Sequence, residues 1–288
     1  MNNLVEEEVW DTEITPRNNL FDLKLKDVWH YRDLLSLLVR RDFVSFYKQT
    51  ILGPIWFFVQ PIITIVIYTV VFGNLAGIPV DGLPKPLFYL AGTIVWSYFA
   101  DCLTKTSSVF RDNAAVMGKV YFPRLIMPLS IVASNIIKFS IQLALFIILM
   151  VYFIYTGANV HINSFVFLFP FLIFLIAALG LGLGMLISAV TTKYRDVAFL
   201  ISFGVPLLMY TTTVIYPLSA AMAKYPKYSW IIKFNPITAI IETFRYGFLG
   251  KGSFSWQLLG ISTLVTVCIL FIGLIVFNKV EKDFVDTV

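Results

Sequence analysis

The 288-residue chain is 58% hydrophobic and 14% charged, with a mean hydropathy of +0.82. That balance excludes a soluble globular domain, which could not hide so much apolar surface, and points to a polytopic all-α membrane protein. The net charge of +5 matters less than its placement, and the two cysteines (Cys102, Cys268) and two histidines (His30, His161) are too scattered for a disulfide framework, a metal site or a catalytic set.

Residues 1–23 read as a flexible, acidic cytosolic segment without the apolar core of a cleaved signal peptide. Over 24–50 the pattern becomes that of an amphipathic helix. Val28, Tyr31, Leu35, Leu38, Val39 and Phe46 gather on one side, and Lys26, Asp33, Ser36, Arg40, Arg41 and Lys48 on the other, with Asp42 out of place. Such a helix is expected to lie along the cytosolic membrane surface.

Six apolar stretches follow, near 51–75, 87–109, 129–155, 164–190, 197–217 and 256–278, each long enough for roughly 30 Å of hydrocarbon. They make up a six-helix transmembrane domain over 51–288. With both termini in the cytosol, most of the 22 Lys and Arg fall on the cytosolic side. The basic segment 111–129 breaks the apolar pattern. Ala114, Ala115, Val116, Met117, Val120 and Tyr121 suit about two helical turns, with Gly118 and Lys119 at the tip and Pro123 as the stop. This loop would offer Met117, Lys119 and Tyr121 to a cytosolic partner; an ordinary connection is the plain alternative.

Residues 218–250 are too apolar for a free outer loop. They are expected to form a re-entrant hairpin of two short amphipathic pieces, broken at Asn235-Pro236, acting as a lid. The spans also carry polar stripes at four-residue spacing: Trp56, Gln60, Thr64 and Tyr68; Tyr89, Thr93, Ser97, Asp101 and Lys105; Ser130, Ser134, Lys138 and Gln142. They predict a shared hydrated path, with dry interhelical hydrogen bonding as the alternative. Asp101 is expected to pair with Lys105 or Lys138. Aromatic faces among hydroxyls suit a sugar chain. Gly180 and Gly184, at GxxxG spacing, predict close helix packing.

No phosphate-binding loop is present: Gly118-Lys119 and Gly250-Lys251 are followed by Val120 and Gly252, not by Ser or Thr. The energy for any transport must come from a partner or an ion gradient. An ion-coupled secondary transporter using Asp101 and Lys138, or a membrane enzyme acting on a lipid carrier, are the readings from other classes. No inverted repeat supports the first and no acidic loop cluster the second.

Four stretches, in order, resemble one family: Leu38–Ile62 (LVRRDFVSFYKQTILGPIWFFVQPI), Lys119–Ser130 (KVYFPRLIMPLS), Lys193–Asp196 (KYRD) and Asn235–Arg245 (NPITAIIETFR). Together they are similar to the permease subunit of bacterial polysaccharide ABC exporters with the type-2 fold. The resemblance implies export of a lipid-linked polysaccharide across the inner membrane. O-antigen is the first choice, and capsule or teichoic acid the alternative. It implies two copies of this chain with two separate ATP-binding subunits that hold ATP and Mg, leaving this chain without a cofactor or an enzymatic site of its own, and no role for nucleic acid. Asn113, Ala114, Val116, Met117, Gly118, Lys119, Val120, Tyr121 and Arg124 would form the coupling contact, and Lys193, Tyr194, Arg195 and Asp196 a smaller second one. Arg40, Arg41 and Asp42 would lie beside the ATPase, and Asn235, Pro236, Glu242 and Arg245 in the outer gate.

Overall fold

The computed structural model describes residues 25–48, 50–117, 122–194 and 196–285, with the backbone alone for Leu25, Phe46, Tyr47 and 281–285. The expected N-terminal segment 1–23 lies outside the described residues. All regular elements among those described are helical. Five are long and apolar enough to cross a membrane: Gly53–Leu75, Lys85–Ser107, Ile126–Tyr155, Ser164–Lys193 and Trp256–Val280.

The amphipathic segment is two helices, α1 (Leu25–His30) and α2 (Arg32–Tyr47), hinged at Tyr31. The first span starts at Gly53 and Pro54, continues as α3 (Trp56–Tyr68) with Pro61 inside it, and ends in a wider π-type turn to Leu75. Then come α4 (Lys85–Ser107), the one-turn helices α5 (Val109–Asp112) and α6 (Ala114–Met117), and α7 (Ile126–Tyr155). Pro128 is tolerated because it sits in the first turn of α7, where backbone N–H groups need no helical partner. A short 3-10 turn leads into α8 (Phe169–Lys193), followed by α9 (Val197–Leu208).

The expected fifth span is shorter than its sequence pattern suggested. The 12 residues of α9 and a 3-residue turn ending at Thr211 reach roughly 22 Å at 1.5 Å per residue. The chain then turns extended at Thr212. The hairpin differs too: it holds three helices, α10 (Leu218–Lys224), α11 (Ser229–Lys233) and α12 (Pro236–Leu249), before α13 (Trp256–Val285). The expected break at Asn235-Pro236 is where α12 starts. The Asn235 side chain accepts from the Ile237 N–H at 3.0 Å, and Pro236 takes the first helical position, where a missing N–H costs no helical bond. Gly250, at φ 68°, ends the helix in the left-handed region.

The most buried of the five long spans is α4. It packs against α7 on one side and α8 on another, while α13 covers the far side of α8. Glycines set these distances. A methyl on Gly184 would lie 2.5 Å from Thr106 Cβ, one on Gly180 2.9 Å from Cys102 Cβ, and one on Gly182 2.8 Å from Leu270 Cα. The GxxxG pair therefore packs within one chain. Gly184→Val should destabilise by roughly 1–3 kcal/mol through overpacking. Gly260→Ala, with nothing within 4 Å, should be neutral or slightly stabilising in a detergent melting assay. Equal melting temperatures for the two variants would contradict this packing.

A second core forms where Leu38 of α2, Val109, Phe110, Met117, Phe122, Ile126, Met185 and Phe277 meet, with Phe110 stacked on Phe277 at 4.7 Å. This core holds the two described ends of the segment that joins α4 to α7, up to Met117 and from Phe122. Met117 packs inside it, not toward the solvent as expected, because a single helical turn after Asn113 carries an apolar side chain inward.

Candidate functional site: a polar groove between α3, α4, α7 and α9

Two antiparallel helices carry the polar side chains of the site. Across the α4–α7 seam, Ser97 Oγ donates to Gln142 Oε1 at 2.9 Å, Lys138 Nζ to Asp101 Oδ2 at 2.7 Å, and Lys105 Nζ to Asn135 Oδ1 at 2.8 Å. Each rung is about one turn from the next, the register that four-residue stripes on antiparallel helices produce. Of the two lysines expected as partners for Asp101, Lys138 holds the ion pair and Lys105 bonds to an amide one turn away.

Beside this seam, α3 and α9 complete the walls of a groove of about 260 Å³. Gln60, Thr64 and Tyr68 come from α3, Thr93, Trp96 and Ser97 from α4, Lys138 and Gln142 from α7, and Val205, Pro206 and Met209 from α9 and the turn after it. Tyr68 donates to Met209 Sδ at 3.6 Å. All three sequence stripes thus contribute to one hollow. A further hollow of about 320 Å³, lined by Trp56, Gln60, Ile63 and Thr64, continues along α3. Toward the start of α7, a cavity of about 30 Å³ lined by Asp42, Phe43, Phe57, Lys105, Ser134, Asn135 and Lys138 separates the groove from a vestibule of about 340 Å³. That cavity has room for about one water. Arg41, Asp42, Lys105 and Asp112 line the vestibule.

Not every predicted path residue lies in the groove. Tyr89 is fully buried in the core, edge-on to Tyr68 and Phe88. The reason is geometric: four-residue steps advance by 400°, so a stripe drifts about 40° per step. By the ends of the α4 series, Tyr89 has turned into the core and Lys105 into the next hollow. Ser130 is likewise buried, donating to Met127 O at 2.8 Å. Asn135, Trp96 and Met209 belong to the site although the stripes did not include them; Asn135 stands at the three-residue step from Lys138, the other spacing that keeps a helix face.

Asp42, the misfit on the amphipathic helix, has a physical account. Its carboxylate lies 3.5 Å from Ser134 Oγ on α7, whose proton goes to Ser130 O at 2.8 Å, and pairs with Arg41 at 2.8 Å, so it faces a polar hollow and not the apolar core. Arg40 is exposed. Among the expected coupling residues, Asn113 donates from Nδ2 to Val109 O at 3.1 Å and starts α6, Ala114 and Val116 lie on that turn, and Arg124 is partly buried ahead of α7. Gly118, Lys119, Val120 and Tyr121 lie outside the described residues, as does Arg195. Lys193 ends α8 with its ammonium 5.5 Å from the Tyr194 ring centroid, and exposed Asp196 precedes α9.

The two charged residues expected at the outer gate are locked into the core. Arg245 and Glu242 are buried to 1% and 2% exposure. The Arg245 guanidinium donates to the carbonyls of Thr213, Val214 and Phe88, stands 3.7 Å from the Phe88 ring centroid, and pairs with Glu242 at 3.4 Å. Glu242 accepts from Ser253 N–H at 3.0 Å. These groups staple α12 to the extended stretch after α9 and to α4. An amphipathic reading could not show this, because periodicity does not tell which elements pack against each face of α12.

Hydroxyls, amides and aromatic rings share the groove with Pro61, Ile94, Ala100, Val205, Pro206 and Met209, with no nucleophile–base pair among the described residues. Such a surface can hold and pass a hydroxyl-rich ligand. A family model described as ABC-2 type transporter matches residues 33–249. The chain is 26% identical over 254 residues to the O-antigen export system permease protein RfbA of Klebsiella pneumoniae, covering 88% of this chain and 94% of that protein. It is 24% identical over 266 residues to the protein of the same name from Myxococcus xanthus (92% and 98%). It is also 24% identical over 236 residues to the polysialic acid transport protein KpsM of Escherichia coli (80% and 87%).

Proposed function

This chain belongs to the ABC-2 type transporter family, and from that premise we infer that it is the permease subunit of an ATP-driven exporter of lipid-linked polysaccharide. O-antigen is the preferred substrate, since the permeases carrying that name align over 88% and 92% of the chain, against 80% for the polysialic acid transport protein. The observation that carries the reading is the groove. Three polar stripes converge on one hollow inside a bundle whose outer faces, such as Leu264, Val267 and Phe271 of α13, are apolar.

The parts are assigned from the same premise. Both termini lie in the cytosol of a bacterial inner-membrane protein, and α1–α2 rest on its inner surface. The α9 helix and the stretch to Pro217 together make the fifth of six crossings, and α10–α12 dip back from the outer side as the gate. With Glu242 and Arg245 anchoring α12, the exposed α10–α11 portion is the part free to move. A second copy of the chain closes the groove, meeting the exposed face of α3 (Ile62, Ile63, Val66, Ile67). A separate ATP-binding subunit, two copies per assembly, docks on residues 113–124, with Lys193–Asp196 as the smaller contact; it holds ATP and Mg.

Purified alone, the chain should hydrolyse no ATP. Tyr121→Ala should weaken ATPase docking by roughly 2 kcal/mol, the scale of an aromatic interface anchor, and uncouple export while leaving membrane insertion intact. Binding of the ATP-binding subunit by pull-down and ATP-driven export in vesicles check both statements. Unchanged binding and export in Tyr121→Ala and Gly118→Pro together would remove the coupling assignment.

A further inference from the structure

We propose that the groove selects an uncharged glycan and that Asp101 sets this selectivity by cancelling the charge of Lys138; the inference rests on the reading of the groove as a polysaccharide path. Every other polar side chain lining the groove among the described residues is neutral: Gln60, Thr64, Tyr68, Thr93, Trp96, Ser97 and Gln142. Among the described residues, Lys138 is the one charged side chain in that lining. Its ammonium is held at 2.7 Å by Asp101, which is not part of the lining.

The pairing decides what the wall offers a passing chain. A free ammonium in a low-dielectric groove is a deep well for a carboxylate or phosphate, and a polymer bearing one anion per repeat would stall there at every step. With Asp101 in place, the nearest full charges sum to zero. An anionic repeat then loses its hydration without gaining a counter-ion, whereas a neutral sugar exchanges water for hydroxyl, amide and ring contacts of similar quality. Lys105, the next cation along the seam, bonds to Asn135 and lines the adjoining hollows and not the groove, so its charge acts from one turn farther along and not on the groove wall. The other nearby carboxylate, Asp42, faces Ser134 and Arg41 beyond the constriction. Asp101 is therefore a positioning residue that acts through Lys138 and does not itself hold sugar.

The test uses the whole exporter, this chain with its ATP-binding subunit, in vesicles with two fluorescent lipid-linked glycans of equal length. One is a plain hexose polymer; the other carries a uronate in each repeat. The wild type should move the neutral glycan faster by about tenfold or more, the scale of one mispaired charge. Asp101→Asn keeps an oxygen acceptor for Lys138 but removes the negative charge. The freed ammonium should hold the acidic glycan and stall it in transit, so that soluble uronate oligosaccharide competes better than the neutral one and the neutral-to-acidic ratio of binding falls by about the same factor. Adding Lys138→Gln should return the ratio toward wild type. Should Asp101→Asn fail to fold, competition by soluble neutral and uronate oligosaccharides for the wild-type complex reads the same preference. Equal transport and equal competition by both glycans in the wild type, or a ratio unmoved in a folded Asp101→Asn, would overturn the proposal. Movement of neither glycan by the wild type would instead sink the exporter reading, and this proposal with it.

Discussion

Asp101→Ala is expected to destabilise the protein by roughly 3–5 kcal/mol, because it leaves the Lys138 ammonium uncompensated at a site only 16% exposed. The same Lys in an intact pair costs far less, since each charge supplies the other's missing hydration. Combining Asp101→Ala with Lys138→Met should therefore recover most of the loss. Combining it with Lys105→Met should not, as Lys105 bonds to Asn135 and not to Asp101. Melting of the detergent-solubilised protein for the single and double variants closes the cycle. Equal melting for the two double variants would refute the pairing.

Arg245→Ala should be as damaging. It removes the partner of buried Glu242 and leaves the carbonyls of Thr213, Val214 and Phe88 without their donors. An uncompensated buried charge costs roughly 3–5 kcal/mol, and each orphaned carbonyl about 1–3 kcal/mol more. Arg245→Lys should not rescue it, because an ammonium lacks the planar fork that reaches several acceptors at once. Gly92 marks how close this fit is: a methyl there would stand 2.7 Å from an Arg245 guanidinium nitrogen. Loss of the monodisperse peak in size-exclusion chromatography for both Arg245 variants is the expected readout, and wild-type behaviour of either would contradict it.

Much of this was legible in the sequence, for identifiable reasons. Apolar runs located the five long spans within a few residues, since length and hydropathy are what a bilayer demands. Four-residue stripes found Gln60, Thr64, Tyr68, Thr93, Ser97, Lys138 and Gln142, because each stripe stays on one face over two or three turns. They lost Tyr89 at the end of a series, where the drift had accumulated. Length was overstated for α9, where Thr212 and Thr213 continue the apolar run in composition but leave the helix in geometry. Tertiary pairing was beyond periodicity: that Arg245 reaches back to Thr213 and Val214, and that Asp42 meets Ser134, depends on which elements pack together.

The most direct measurement is cysteine accessibility in a chain whose Cys102 and Cys268 have been replaced. Single cysteines at Gln60, Ser97 and Gln142 report on the groove, Tyr89 on the core beside it, and Phe271 on the outer apolar face. Assembled with the ATP-binding subunit in vesicles, the three groove positions should react with a water-soluble thiol reagent faster during ATP-driven export, and should be shielded when a lipid-linked polymer is stalled in transit. Tyr89 and Phe271 should be indifferent to both. Negligible and equal labelling of all five positions in every state would mean that the stripes are dry packing and that the glycan path lies elsewhere.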